Sequence, residues 1–279
     1  MTDRSGSFPW SFLLIGFSLS WAVWIPVAIT GRDYQSSPYL LVGVLLGAFG
    51  PGLAAIFLTY INREKDDLQD FRNRIYELRR IRPSWILIIL TLWPVLHATA
   101  IGISKLFGAP TPNSPFLEEV LGQSNTIPLV IFLYFLQAGV EEIGWRGYLQ
   151  DKLGEYFSLP VSALVTGVIH TLWYLPLFWV VGSNQIKMGF GVDFLIFIGF
   201  VISSSVYSAW CYYGNHRSVL AAALLHTTGN LSFDIFAYAP GTLKHLVFVL
   251  LMTAGAIPLL CYLRRIRPEP NRLLEDSST

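Results

Sequence analysis

Charge is what this sequence has least of. Only 13% of its 279 residues are Asp, Glu, Lys or Arg, about half the share found in a soluble domain, while 53% are hydrophobic and mean hydropathy is +0.51. A water-solvated globule is therefore excluded. The net charge of +1 gives no electrostatic ground for a nucleic-acid partner. Cysteine is also scarce: Cys211 and Cys261, both in apolar runs, cannot supply a disulfide framework or a Cys-based zinc site. No HExxH stretch is present, so zinc binding of the zincin type has no support. Internal repeats, low-complexity tracts and soluble-domain boundaries are absent as well, and residues 1–279 read as a single transmembrane helical domain.

Long apolar runs take the place of charge. A bilayer core about 30 Å thick needs roughly 20 helical residues to cross it, and eight stretches qualify, near 8–30, 39–61, 85–107, 127–149, 160–181, 190–213, 218–237 and 244–263. The fold class expected is an all-α polytopic membrane protein of about eight helices. The first run, Phe8 to Ile29, follows the single basic residue Arg4 and has no small-residue cleavage site, so it reads as a retained anchor rather than a signal peptide. The one strongly polar segment, about 62–84, carries Arg63, Lys65, Arg72, Arg74, Arg79, Arg80 and Arg82, which places it in the cytoplasm. Its simplest reading is a topology determinant with an amphipathic surface helix. Alternation outward from it puts both termini inside, together with Arg146, Lys152, Arg217, Arg264, Arg265, Arg267 and Arg272.

A charge at mid-helix costs about 2.5–3.5 kcal/mol on insertion scales, so each one retained needs a partner or a task. The fourth span ends with adjacent carboxylates, Glu141 and Glu142, followed by Trp145, Arg146 and Gly147. Glu142 and Arg146 stack at i and i+4 as an ion pair, and Glu141 projects from a neighbouring face. Alone, the segment is an ion-pair staple with Trp145 and Arg146 as interface anchors. His170 in the fifth span, and His226 with Asn230 one turn further in the seventh, would each pass alone for interhelical packing. Depth joins them. At about 1.5 Å per residue, Glu141, His170 and His226 each lie roughly 10–15 Å below the same membrane surface. Carboxylate and imidazole can take a proton from water and return it to a leaving amine, Asn230 and a histidine can donate to an oxyanion, and Glu141, His170 and His226 are also candidate ligands for a divalent metal such as zinc. His97, His216 and His245 carry only packing or helix-end readings.

Three motifs over residues 137–231 give the chain a family resemblance. Glu141, Glu142, Trp145, Arg146 and Gly147 fit EExxWRG, His170 fits FxxxH with Thr166 in the phenylalanine position, and His226 with Asn230 fits HxxxN. In this order and spacing they resemble the CPBP intramembrane proteases, also called the Abi or type II CAAX prenyl endopeptidase family. The resemblance implies that Glu141 is the general base on water and His170 positions it. His226 and Asn230 would stabilise the oxyanion while Glu142 and Arg146 brace the site. It implies a membrane-associated peptide or protein substrate. The short extramembrane loops and the absence of organelle signals point to a prokaryotic plasma membrane. The competing readings are a proton- or ion-coupled transporter using the same polar layer and a catalytically silent immunity or scaffold protein. Oligomeric state has no signature in the sequence.

Overall fold

The computed structural model describes residues 8–62, 65–110, 113–236 and 241–266, and among these every regular element is helical. Arg4, Arg63, Arg267 and Arg272, counted in the charge bias, lie outside the described residues. Proline opens several helices, where its missing N–H is not needed and its fixed φ favours the first turn. Thus α1 (Trp10–Ile29) follows Pro9, and α2 (Pro38–Gly47) starts on a proline. The next two are α3 (Gly50–Asn62) and the polar α4 (Lys65–Tyr76), followed by α5 (Pro83–Leu106) and α6 (Pro115–Gly122), which both begin with proline. α7 (Ile127–Gly144) passes into a π-turn over Trp145–Gln150 and ends in the single turn α8 (Asp151–Gly154). Then come α9 (Leu159–Trp173), α10 (Asn184–Met188), α11 (Val192–Gly214), α12 (Val219–Ile235) and α13 (Leu243–Arg265).

Six helical segments among the described residues are long and apolar enough to cross a bilayer, and α2 with α3, bent by 46°, makes a seventh. The difference from the eight runs in the sequence falls on α12, which has 17 residues where about 20 are needed. It packs against α7, α5 and α11, so its polar residues face protein. Large apolar side chains such as Leu14, Leu87, Val95, Leu250 and Ile257 point outward, as expected where the surrounding solvent is lipid.

α7 lies between α3 and α12, and α9 packs along α11. Two glycines set the first of these distances. A Cβ at Gly52 of α3 would stand 2.3 Å from the Val140 carbonyl oxygen, and one at Gly144 would stand 2.6 Å from the Pro51 backbone, so only hydrogen at both positions allows this crossing. One apolar core gathers Trp85, Trp93, Tyr207 and Phe248, and a second gathers Phe12, Trp24, Trp145 and Trp173. Glu141, Glu142, Arg146 and His170 are buried among them, none more than 6% exposed.

Candidate active site

The end of α7 delivers its two carboxylates to different histidines. Glu142 Oε1 lies 3.2 Å from the Arg146 guanidinium, the i, i+4 pair expected from the sequence, and 2.9 Å from His226 Nδ1. Glu141 Oε2 lies 3.5 Å from His170 Nε2, and its Oε1 accepts from the Gln137 amide at 3.3 Å. Two glutamate–histidine pairs thus stand side by side. Arg146 also donates to the Ser205 carbonyl of α11 at 3.2 Å, so its charge links α7 to α11.

His170 is held flat between two rings. Trp145 stacks on it at 4.5 Å between centroids and Tyr174, one helical turn on, at 4.8 Å. Trp145 is fully buried at 0% exposure, which corrects its reading as an interface anchor: the π-turn aims the indole inward onto His170, not outward to the membrane surface. Arg146, at 1%, is no surface anchor either.

Thr166 makes a link of its own in the phenylalanine position of the second motif. It is fully buried and donates to Gln150 Oε1 at 3.2 Å, tying α9 to the π-turn by a hydrogen bond where an aromatic ring would do so by packing. Thr166→Val should cost about 1–3 kcal/mol of stability by leaving a buried acceptor unpaired. Thermal unfolding of the purified variant measures this, and turnover by the folded fraction should stay at the wild-type value.

Glu142, Arg146, His170, His226 and Asn230 line a cavity of about 70 Å³ whose other wall is formed by Tyr174, Phe200 and Ser204. One water needs roughly 10–15 Å³ on this measure, so the space suits a few waters and a substrate bond only after the helices part. Asn230 sits one turn beyond His226 and makes no hydrogen bond to another described residue, so its amide is free for a substrate. Glu141 is not in the cavity wall and meets it through His170. Asp234, a turn past Asn230, accepts from the Tyr134 hydroxyl and ties α12 to α7. His97 is boxed by Phe233, Phe236 and Phe248 away from the carboxylates.

Glu141, His170 and His226 do not fit a shared metal centre. His170 pairs with one carboxylate and His226 with the other, and among the described residues no three His, Cys, Asp or Glu side chains converge as metal ligands. Sequence reasoning missed Gln137, Tyr174 and the Ser205 carbonyl. The first two stand four residues from Glu141 and His170, a helical spacing that could have found them.

Known proteins resemble this chain over the same region. The model of the family described as type II CAAX prenyl endopeptidase Rce1-like matches residues 123–232, which supply most of the cavity lining. The chain is 27% identical over 255 residues to CAAX prenyl protease 2 of Methanococcus maripaludis, covering 89% of this chain and 92% of that one. It is 23% identical over 261 residues to Lysostaphin resistance protein A of Staphylococcus haemolyticus, covering 90% and 68%. The three motifs of α7, α9 and α12 meeting in one cavity agree with these likenesses, which support a protease similar to the type II CAAX prenyl endopeptidases.

Proposed function

We propose that this protein hydrolyses peptide bonds of membrane-associated substrates with a water activated by Glu141 and His170. The observation that carries the reading is the facing pair Glu141 Oε2 and His170 Nε2, both buried and neither with a hydrogen-bond partner. Buried polar atoms are rarely left unpaired without a task, and a reacting water would use both. In the reaction the water oxygen attacks the scissile carbonyl carbon as Glu141 takes its proton, with His170 orienting the water. The oxyanion formed accepts hydrogen bonds from the Asn230 amide and from His226 Nε2, whose other nitrogen is held by Glu142. The C–N bond then breaks, and the proton passes from Glu141 to the leaving amine. Every step runs through the chain's own side chains.

The substrate class proposed is a peptide near the C-terminus of a membrane-anchored chain. Two features support it: the burial of the site among bilayer-crossing helices and the name of the Methanococcus relative. The location proposed is a prokaryotic plasma membrane with both termini cytoplasmic. Cysteine labels beside Arg74 and in the C-terminal tail, in a protein lacking the exposed Cys261, should react only from the cytoplasm. Labelling from outside would overturn the orientation.

Asn230→Ala tests the oxyanion role. Removing one donor should lower kcat by about 10²–10³ and change KM less. Undiminished cleavage of a fluorogenic membrane peptide would remove Asn230 from the mechanism. Altered ion flux with no uncut peptide accumulating would favour a transporter.

A further inference from the structure

α4 lies outside the membrane-crossing helices, yet two of its side chains are buried: Phe71 is 1% and Arg74 0% exposed. The Arg74 Nη1 donates to the Gly147 carbonyl at 3.2 Å, to Asp151 Oδ2 at 2.6 Å and to the Tyr212 hydroxyl at 2.7 Å, while its Nε stands 2.9 Å from Asp70. Phe71 lies under the guanidinium, 5.6 Å from ring centroid to carbon, and closes over Gly147. Gly147 is the third residue of the π-turn. An i→i+5 turn disturbs the regular pairing of carbonyls, and at Gly147 an arginine from another helix supplies a donor.

What the π-turn carries makes this contact consequential. Trp145 stacks on His170, Arg146 pairs with Glu142, and Gln150 accepts from Thr166. The same cluster also reaches the start of α12. Asp151, besides Arg74, binds Tyr212 at 2.9 Å and Arg217 at 2.5 Å, and Arg80 donates to the His216 carbonyl at 2.9 Å. His216 and Arg217 form the tight turn before Ser218, whose side chain caps α12, and both have positive φ (52° and 58°). Asp151 raises the already high pKa of Arg217 against the opposing effect of burial, so this link stays charged at any working pH. The cluster clamps the end of the helix bearing the two glutamates to the beginning of the helix bearing His226 and Asn230.

We propose that Arg74 is a positioning residue of the protease reaction, holding the π-turn so that the glutamate–histidine pairs keep their register. The proposal rests on the reading that those pairs are catalytic. It gives the polar segment between the second and third spans a task beyond setting topology.

The test uses the full-length protein in lipid vesicles with a fluorogenic membrane peptide, comparing wild type, Glu141→Gln, Arg74→Lys, Arg74→Gln and Tyr212→Phe. Turnover is expressed per folded molecule, with folded fraction taken from size-exclusion and thermal unfolding. Misplacement by about 1 Å can cost on the order of 10²-fold, so Arg74→Gln should lose about 10- to 100-fold in kcat with KM little changed. Arg74→Lys should recover part of that loss, and Tyr212→Phe, which removes one bond from the cluster, should lose less. A role in folding alone would lower yield while kcat per folded molecule stayed at the wild-type value, and that result would overturn the proposal. If Arg74→Gln does not fold, Tyr212→Phe decides it: a folded variant with unchanged kcat would refute positioning. Equal cleavage by wild type and Glu141→Gln would instead sink the catalytic reading, and Arg74's role with it.

Discussion

Glu141→Gln is expected to yield a folded, membrane-inserted protein that cleaves nothing measurable. The substitution keeps the shape of a side chain that is 1% exposed, and glutamine can still bond to Gln137 and reach toward His170. Among the described residues no guanidinium forms an ion pair with Glu141; Arg146 pairs with Glu142. What glutamine lacks is basicity, so the step in which water gives up its proton has no acceptor. Turnover of a membrane peptide by purified wild-type and variant protein, at matched folded fraction, measures the effect. Retained wild-type turnover would eliminate Glu141 as the base.

Glu142→Gln should fail in a different way, losing both stability and turnover. Glu142 is 1% exposed and its Oε1 serves Arg146 and His226 together. Neutralising it leaves the buried Arg146 charge without its partner, a change that typically costs about 3–5 kcal/mol. It also releases the His226 ring, whose other nitrogen is the proposed oxyanion donor, so the molecules that do fold should turn over more slowly but detectably. Thermal unfolding and kcat per folded molecule separate the two losses. Normal stability with abolished turnover would move the role of base from Glu141 to Glu142, which lines the cavity.

The parts of the site that could be read from the sequence are those that follow from helical counting. Glu142 and Arg146 pair as their i, i+4 spacing requires, and the common depth expected for Glu141, His170 and His226 from the rise per residue is compatible with the Glu141–His170 and Glu142–His226 pairs. Counting gives depth but not which faces meet. The partner of His226 was therefore out of reach: that Glu142 holds it depends on how α7 packs against α12. Trp145 reads in sequence as an interface tryptophan because nothing in local propensity announces a π-turn, and the turn buries it on His170. Arg74 reads as one exposed charge among many. Its burial needs Asp151 and Tyr212, which stand 77 and 138 residues away. Thr166 breaks a motif on paper, yet its hydroxyl finds Gln150 only once the π-turn has formed.

The most direct test of the central claim is a cleavage assay in water labelled with heavy oxygen. Purified full-length protein in lipid vesicles would be given a membrane-anchored peptide, and the products of wild type and Glu141→Gln compared by mass spectrometry. The account predicts that wild type releases two fragments and that one solvent oxygen appears in the new carboxylate, while the variant leaves the peptide whole. Cut peptide in equal amount from both proteins, or an intact peptide with wild type, would contradict it.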